Sequence, residues 1–358
     1  MTSPESAYFP LKSMSLGAVR RGFSPLVRER SMARTWSWYV MDLGLYLGFV
    51  AAVYAVDPVW QKLLLGVGAG IAVSMLFLWA HDAAHGSLFE RDGVAAVFGT
   101  AAMLPSLNIY PLWQYGHNRV HHGFTSLSPI DWIWRPLSPS EYLQRTRWQR
   151  FVYRRERSLP GCALHYFLRV WWPGMIRFSL GLSGRNKADG RGSKLLTLVF
   201  ALGASSLAFR YGGGVWGLVA AVIVPFIVFN YAIAFITFLH HTHPQIPFFV
   251  DRGEWSAVIG QVFCSTVVRC SRPAEALLHG ILIHVPHHVD TRIPFYRLQR
   301  AFEELDPEFR AFVHEYRFRW STVRGIFREC QLFDFTEKVS HRFDDAAVKA
   351  DTGIVPYE

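Results

Sequence analysis

The stretch LLLGVGAGIAVSMLFLWAHDAAH, residues 63–85, joins an uninterrupted apolar run to a pair of histidines. Its first 18 residues would extend about 27 Å as an α-helix, which is close to the thickness of the hydrocarbon core of a bilayer. His81 follows this run directly, and His85 lies one turn later on the same helix face. The stretch therefore predicts a membrane-spanning helix that presents two potential metal ligands where it leaves the lipid.

Further apolar runs predict an all-α integral membrane protein with four transmembrane helices. Residues 38–56 are interrupted only by Asp42, and a short link joins them to residues 63–80, so these two runs form one hairpin. Residues 195–209 lead through a Gly-rich turn into residues 215–239, which gives a second hairpin. A carboxylate is unfavourable in lipid, and the position of Asp42 near the membrane surface favours contact with headgroups.

Two shorter segments are expected at the membrane interface. Residues 94–104 are apolar but too short to cross, so we expect them to lie along the membrane or dip into it. Residues 165–182 mix aromatic and aliphatic residues with Arg169 and Arg177, which is typical of a helix in the headgroup plane. A buried helix of a cytoplasmic domain is the alternative interpretation of this second segment.

The basic residues indicate how the chain is oriented. Of its 37 Lys and Arg residues, 35 lie in segments 1–37, 81–194 and 240–358, on one side of the predicted hairpins. Because cytoplasmic flanks are enriched in Lys and Arg, both termini and all the histidine clusters are predicted to be cytoplasmic. The net charge of +10 is spread over these flanks without a nucleic-acid-binding motif, so we expect a membrane partner and no nucleic acid. We divide the chain into a basic segment 1–37, a membrane domain 38–305 and a C-terminal segment 306–358.

Eleven of the 15 histidines fall in four short clusters, which suggests a metal-binding enzyme. The clusters are HDAAH (81–85), HNRVHH (117–122), HHTHP (240–244) and HVPHH (284–288). Spacings of three or four residues on a helix direct side chains to one point. The first, second and fourth clusters together offer eight histidines, which is more than one ion can use, so two metal ions are predicted. The histidines outside the clusters are expected to be ordinary surface or core residues: His165, His279, His314 and His341.

Three aspartates near the clusters are candidates for orienting a ligand imidazole. Asp82 lies inside the first cluster, Asp131 follows the second and Asp290 follows the last. Each is equally compatible with a local role such as capping a helix.

Together these motifs resemble the membrane fatty acid desaturase superfamily over roughly residues 35–305. TFLHHTHPQIPFF at 237–249 and HVPHHVDTRIPFYRL at 284–298 are similar to segments of the methyl-end (omega-6 or delta-12 type) acyl-lipid desaturases. DWIWRPLSPSEY at 131–142 resembles the segment that follows the second histidine box in that branch.

The resemblance implies four transmembrane helices in two hairpins beneath a cytoplasmic helical cap, with histidines holding two irons. It implies the conversion of an acyl chain, O2 and two electrons into an alkene and water. Imidazole also suits Zn, Cu and Ni, so iron is implied by the resemblance alone. The ligands carried over from the family are His81, His85, His117, His121, His122, His241, His284, His287 and His288. His241 is taken from the alignment of HHTHP with the family's QHTHP, although His240 and His243 flank it. One branch of the superfamily has an asparagine four residues earlier that holds a metal-bound water, and Thr237 occupies that position here.

The implied electron donor must be an external ferredoxin-like or cytochrome b5-like carrier, because the sequence has no cysteine cluster and no segment that resembles cytochrome b5. A basic group offers a docking surface or a contact with headgroups: Arg145, Arg147, Arg150, Arg154, Arg155 and Arg157.

Other function classes remain open from the sequence. A related di-iron enzyme would hydroxylate a lipid, or act as a carotenoid hydroxylase or ketolase, with similar boxes. A zinc-dependent membrane hydrolase is disfavoured because no HExxH motif is present. A transporter or receptor with a regulatory ion is a further alternative.

Overall fold

The structure is a computed structural model, and it describes residues 7–128, 130–177 and 184–345, with the backbone alone for Arg177 and residues 184–189. Four helices in this part of the chain are long and apolar enough to cross a membrane, as the hydropathy predicts. We call them span 1 (Met32–Ala55), span 2 (Val59–Ala84), span 3 (Gly184–Tyr211) and span 4 (Val215–His241, with a π-helical segment at Val219–Ile223).

Small residues let the spans approach closely, and span 2 is central to their packing. A Cβ at Gly68 would lie 2.4 Å from the ring of Phe49 in span 1, and one at Gly70 would lie 2.5 Å from Val228 in span 4. Side-chain-free positions of this kind are a common device of packed membrane helices. The turn between spans 3 and 4 needs glycine for another reason, since Gly213 and Gly214 have φ angles of 88° and 72°.

A broken helical segment follows the first histidine cluster and carries the second. Asp92–Ser106 and Tyr110–Phe124 are together long and apolar enough to cross a membrane, but they are bent by 101° relative to each other. The first half packs against span 2, and Gly99 is so close to the ring of Tyr110 that an added Cβ would lie 2.3 Å from it. The apolar residues 94–104 thus form one half of a bent pair, a geometry typical of a broken span or a re-entrant loop.

The remaining described elements form a cap over one end of the spans, with one large hydrophobic core continuous across both parts. The described α- and π-helices outside the four spans, the bent pair included, are Leu16–Arg21, Asp92–Met103, Tyr110–Tyr115, Gly116–His121, His122–Phe124, Pro139–Leu143, Arg147–Glu156, Ala163–His165, Tyr166–Arg177, Ile259–Phe263, Arg272–Leu277, His284–Val289, Leu298–Glu303, Pro307–Arg310 and Trp320–Glu329. Short 3-10 helices are Phe9–Ser13, Pro25–Arg28, Leu104–Ser106, Leu159–Gly161 and Phe295–Arg297. The predicted all-α fold class did not include two short pairs of strands. Thr266–Arg269 pairs in parallel with His314–Arg317, and Leu332–Asp334 pairs antiparallel with Val339–His341.

The N-terminal segment is folded against the cap beside the last histidine cluster. The Arg20 side chain donates to the carbonyl of Val289 at 2.6 Å, and Arg28 donates to Asp290 at 2.8 Å. Ser24 donates to Glu304 through both its backbone N–H and its hydroxyl. These contacts connect residues more than 260 positions apart, so the N-terminal segment holds in place the residues that follow the last histidine cluster.

The interpretation of Asp42 as a headgroup-facing residue is wrong. Its side chain is fully buried, and one carboxylate oxygen lies 3.1 Å from Nε2 of His279, which is also fully buried. Trp38 and Phe295 pack against the His279 ring. Burying the carboxylate against a partner avoids the cost of an isolated charge in lipid. For residues 165–182, the structure gives a π-helix over Tyr166–Arg177, and residues 178–183 lie outside the described ranges.

Candidate metal centre

The first histidine cluster is a direct continuation of span 2. His81 lies in the last turn of the helix, and His85 is its C-terminal cap residue. Their rings are 4.7 Å apart, as the spacing predicts. Nδ1 of His81 lies 2.9 Å from the Asp82 carboxylate, which also accepts from the backbone N–H of Phe295 at 2.6 Å. Because a carboxylate accepts, Nδ1 of His81 carries the proton and Nε2 keeps its lone pair for a metal.

The second cluster lies on a π-helix, and this changes which histidines share a face. Gly116–His121 is π-helical, with backbone hydrogen bonds between residues five apart, so a residue five positions on is brought to the same side of the helix. Nε2 of His117 is 3.1 Å from Nε2 of His122 and 3.0 Å from Nε2 of His81. His121 instead lies toward span 4, with its Nε2 3.1 Å from Nε2 of His241. The prediction that a four-residue spacing within a cluster directs its side chains to one point is therefore wrong for His117 and His121.

The last cluster is divided in the same way within the helix His284–Val289. Nε2 of His284 lies 3.2 Å from Nε2 of His241, while the ring of His287 lies 4.5 Å from that of His81. His288 stacks on His122 with ring centroids 4.1 Å apart, and its Nδ1 contacts the side-chain oxygen of Gln261.

Of the three histidines in the HHTHP segment, His241, at the end of span 4, is the one that groups with histidines of the other clusters. Its Nδ1 donates to the backbone carbonyl of Cys264 at 3.0 Å, so its Nε2 carries the lone pair. His240 stacks face to face on His284 with ring centroids 3.5 Å apart. His243 lies elsewhere, 5.2 Å from the ring of His314. Thr237 stands where one branch of the superfamily has an asparagine. Its hydroxyl accepts a hydrogen bond from Nε1 of Trp134 at 3.0 Å.

Among the described residues, all nine histidines named from the sequence come together in two groups. The first group is His81, His85, His117, His122 and His287, and the second is His121, His241, His284 and His288. Within each group, the available nitrogens lie within 4.8 Å of one another. Each of the second and last clusters contributes to both groups.

The two groups fit metal ions in spacing and in hydrogen bonding. Two nitrogens bound at right angles about 2.1 Å from one ion lie about 3.0 Å apart. The measured Nε2 separations of 3.0–3.2 Å match this value. Within the described ranges, the buried Nε2 atoms of His85, His287 and His288 have no hydrogen-bond partner. Buried imidazole nitrogens without a hydrogen-bond partner are available to bind a metal ion.

Burial also keeps these imidazoles in the neutral form that binds metals. Burial, reinforced by neighbouring histidines, lowers the pKa of cap histidines well below the usual imidazole value. They are His117, His122, His284, His287 and His288. A neutral ring can donate its lone pair without first releasing a proton.

Two of the three candidate aspartates orient histidines. Asp82 contacts His81, and Asp131 lies 3.1 Å from Nδ1 of His121 while accepting from the backbone N–H groups of Ser126 and Ile133. Asp290 has Arg28 and Arg292 as its charged partners in the described part of the chain. Although burial opposes it, hydrogen bonds from these two arginines lower the pKa of Asp290 to about 2. Asp290 therefore ties the N-terminal segment to the cap and does not orient a histidine.

Several contributors had no signal in the sequence. Gln261 and the carbonyl of Cys264, in a segment without a recognisable motif, contact imidazoles of the second histidine group. His165, predicted to be a surface or core residue, is a core residue that stacks on Trp134 with centroids 3.7 Å apart and belongs to neither histidine group. Of the basic group around Arg145–Arg157, Arg157 is buried and donates to the carbonyl of Trp134, so it is not part of any surface.

A mainly apolar cavity of about 700 Å³ reaches both histidine groups. The histidines in its wall are His81 and His117 from the first group, His121, His241 and His284 from the second, and His240. The rest of the wall includes Phe77, Ile233 and Ile236 of the spans and Tyr166 and Met175 of the cap. Its volume lies within the range of small-molecule sites. An apolar chain in this cavity would therefore meet the histidines directly.

Comparisons with known proteins agree with this geometry. A family model described as "Fatty acid desaturase" matches residues 58–320, which is well over half of the chain. The chain is 28% identical over 317 residues to a protein of Picosynechococcus sp. named sn-1 oleoyl-lipid 12-desaturase, covering 86% of this chain and 87% of that protein. It is 27% identical over 341 residues to the protein of the same name from Synechocystis sp., covering 93% of each. A chloroplastic omega-6 fatty acid desaturase of Arabidopsis thaliana is 27% identical over 299 residues, covering 82% of this chain and 63% of that protein. The chain belongs to the fatty acid desaturase family.

Proposed function

We propose that this membrane desaturase introduces a second double bond into a lipid-linked acyl chain that already contains one. The reaction consumes O2, two electrons and two protons, and it yields the alkene and two waters. The observation that carries the proposal is the apolar cavity whose wall contains histidines of both groups. The names of the relatives, oleoyl-lipid 12-desaturases, support an oleoyl chain as the substrate and carbon 12 as the position.

The proposed ligands divide into five and four. His81, His85, His117, His122 and His287 would hold one iron, and His121, His241, His284 and His288 the other. Bound irons would supply the redox chemistry that activates O2 and removes hydrogen from an unactivated C–H bond, which acid or base side chains do not achieve.

The chain's own residues orient the imidazoles and exclude water from the cavity. Asp82, Asp131 and the Cys264 carbonyl hold the Nδ1 protons of three imidazoles, so each keeps its Nε2 lone pair on the side of the site. The apolar wall of the cavity desolvates the acyl chain and favours an extended hydrocarbon next to the histidines. Positioning of this kind is the protein's main contribution when the cofactor performs the chemistry.

The proposal also includes orientation and electron supply. The distribution of Lys and Arg supports a cytoplasmic metal site with cytoplasmic termini. The donor is an external acidic carrier of the ferredoxin or cytochrome b5 type, docking where Arg145, Arg147 and Arg155 are exposed.

The test is expression in a host whose membranes contain monounsaturated but no diunsaturated acyl chains, with His287→Ala as the inactive control. We expect lipids two mass units lighter, with an additional alkene, and about two irons per purified chain. A gain of sixteen mass units would assign the protein as a hydroxylase instead. One tightly held zinc without iron would reject the di-iron proposal.

A further inference from the structure

The cavity opens to the exterior beside two residues. Of the 25 described residues that line it, only Trp132 and Arg169 are exposed, with Trp132 37% exposed and the Arg169 side chain 53% exposed. A residue that both lines a cavity and is exposed marks its mouth. Arg169 is also the only residue in this described lining with a permanent charge.

The helix that carries Arg169 separates the cavity from an apolar exterior. Leu164, Leu168, Trp172 and Ile176, each four residues after the last, are exposed apolar side chains along one stripe of Ala163–Arg177. Residues of the adjoining face, from Tyr166 to Met175, line the cavity. An exposed apolar stripe on a membrane protein is typical of a surface in contact with lipid. Arg169 therefore lies between a lipid-facing stripe and the entrance to the cavity.

The Arg169 guanidinium is held in a fixed direction by a buried carboxylate. Nε donates to Oε2 of Glu156 at 3.0 Å, and Nη2 lies 3.0 Å from Oε1. Glu156 is 1% exposed, so the carboxylate is fixed in the protein while half of the arginine side chain remains accessible. The guanidinium thus makes one hydrogen bond and one close ion-pair contact along one edge, and Nη1 lies outside this contact. The pair is formally neutral, so it offers N–H donors without a strong attraction for free anions.

We propose that Arg169 binds the polar end of a membrane glycerolipid, through an ester carbonyl or phosphate oxygen, while the acyl chain enters the cavity. This inference deepens the proposed function and rests on it. An acyl chain that reaches the histidines leaves its ester outside the apolar wall, at the mouth. A tryptophan and an arginine at that position suit the boundary between hydrocarbon and headgroups. An N–H donor fixed at the mouth would hold the ester end and so set how the chain is placed.

The test uses full-length protein in detergent and three probes with the same photoreactive oleoyl chain. The probes are a phosphatidylcholine, a diacylglycerol and an octadecene without any polar end. Arg169→Gln should reduce labelling by the phosphatidylcholine about ten-fold, as expected for the loss of a hydrogen bond from a charged donor, and leave octadecene labelling unchanged. An equal loss with the diacylglycerol identifies the ester oxygen, whereas a loss confined to the phosphatidylcholine identifies the phosphate.

Two variants serve as controls. Arg324→Gln changes an exposed arginine on the helix Trp320–Glu329 of the same cap and should label like the wild type. Arg169→Lys should recover part of the labelling, because lysine keeps a charged donor but loses the planar guanidinium that Glu156 orients. In membranes, Arg169→Gln should raise the apparent KM for oleoyl lipid more than it lowers kcat.

Failure of this inference can be distinguished from failure of the proposed function. If wild-type protein forms dienoic lipid while Arg169→Gln labels and turns over normally, Arg169 does not bind substrate. If Arg169→Gln loses octadecene labelling equally, its role is structural and the inference is rejected. If wild-type protein forms no dienoic product but is labelled in an Arg169-dependent manner, the proposed reaction is wrong and the lipid site stands.

Discussion

The carboxylate of Asp42 in span 1 lies 3.1 Å from Nε2 of His279, and both side chains are fully buried. His279 precedes the last histidine cluster by five residues and has a φ angle of 51°. Ile281, which follows it, lines the cavity beside His284. The pair therefore links the first transmembrane helix to the segment that enters the metal centre.

Replacing one member of this pair should destabilise the protein. Asp42→Asn removes the carboxylate that faces the buried His279, and leaving a buried polar group without its partner costs about 1–3 kcal/mol. We expect a lower melting temperature in detergent and less product in membranes. Asp57→Asn, the same change in the exposed link between spans 1 and 2, is the matched control. A melting temperature equal to that of the wild type would show that the contact contributes little.

Ligand histidines should differ sharply from the others. His121→Ala and His287→Ala should abolish product and reduce bound metal, because each removes a nitrogen from one of the two groups. His314→Ala and His341→Ala should retain activity, since neither belongs to a group found among the described residues. Gas chromatography of membrane fatty acids and elemental analysis give both readouts. Full activity in His287→Ala would remove the last cluster from the ligand set.

Asp131 should act on the metal through His121. Asp131→Ala removes the acceptor for Nδ1 of His121, so that the ring is free to rotate and change tautomer. Loss of such a partner typically weakens metal binding by about 10- to 100-fold. Competition with a chelator, followed by elemental analysis, measures this change. Asp251→Ala, at an exposed turn, should resist the chelator as the wild type does.

The orientation can be tested with reporter fusions. A reporter after Glu358 or within residues 183–194 should be cytoplasmic, and one inserted near Gly213 should be exported, because nearly all basic residues lie on the side of the histidines. A paired fluorescent and alkaline phosphatase reporter distinguishes the two sides. The reverse pattern would overturn the charge argument.

Acidification should destabilise the fold through His314. Burial, with His243 nearby, lowers the pKa of His314 to about 4. Between the ordinary imidazole pKa of about 6.5 and this value, the unfolded chain binds a proton that the folded protein does not, so stability falls as the pH falls. His314→Gln removes this contribution, and its melting temperature should change less between pH 7 and pH 5 than that of the wild type. Identical pH dependence would assign the effect to other groups.

The sequence predicted the features that depend on local periodicity. The apolar run at residues 63–80 and the i, i+4 pair that follows it required only hydropathy and helix geometry. His241 was identified through the motif around it, and the structure places its Nε2 3.1–3.2 Å from those of His121 and His284.

Other features depend on geometry that local spacing does not contain. The π-helix over Gly116–His121 assigns His117 and His122 to one group and His121 to the other, whereas α-helical spacing would not. The partner of Asp42 is more than 230 residues away, so its burial could not be inferred from its position in an apolar run. Gln261 became a partner of His288 only through tertiary packing.

Span 2 ends in His81 and His85 without a break, so the tilt of this one helix sets where both histidines lie. A helix of 26 residues is about 39 Å long, so a change in tilt of about 3° displaces its end by about 2 Å. That displacement is a large part of the 3.0 Å between Nε2 of His81 and His117. The tilt of a membrane helix is set by packing against its neighbours. The close approach of Gly68 to Phe49 and of Gly70 to Val228 therefore helps to align histidines that lie several turns away.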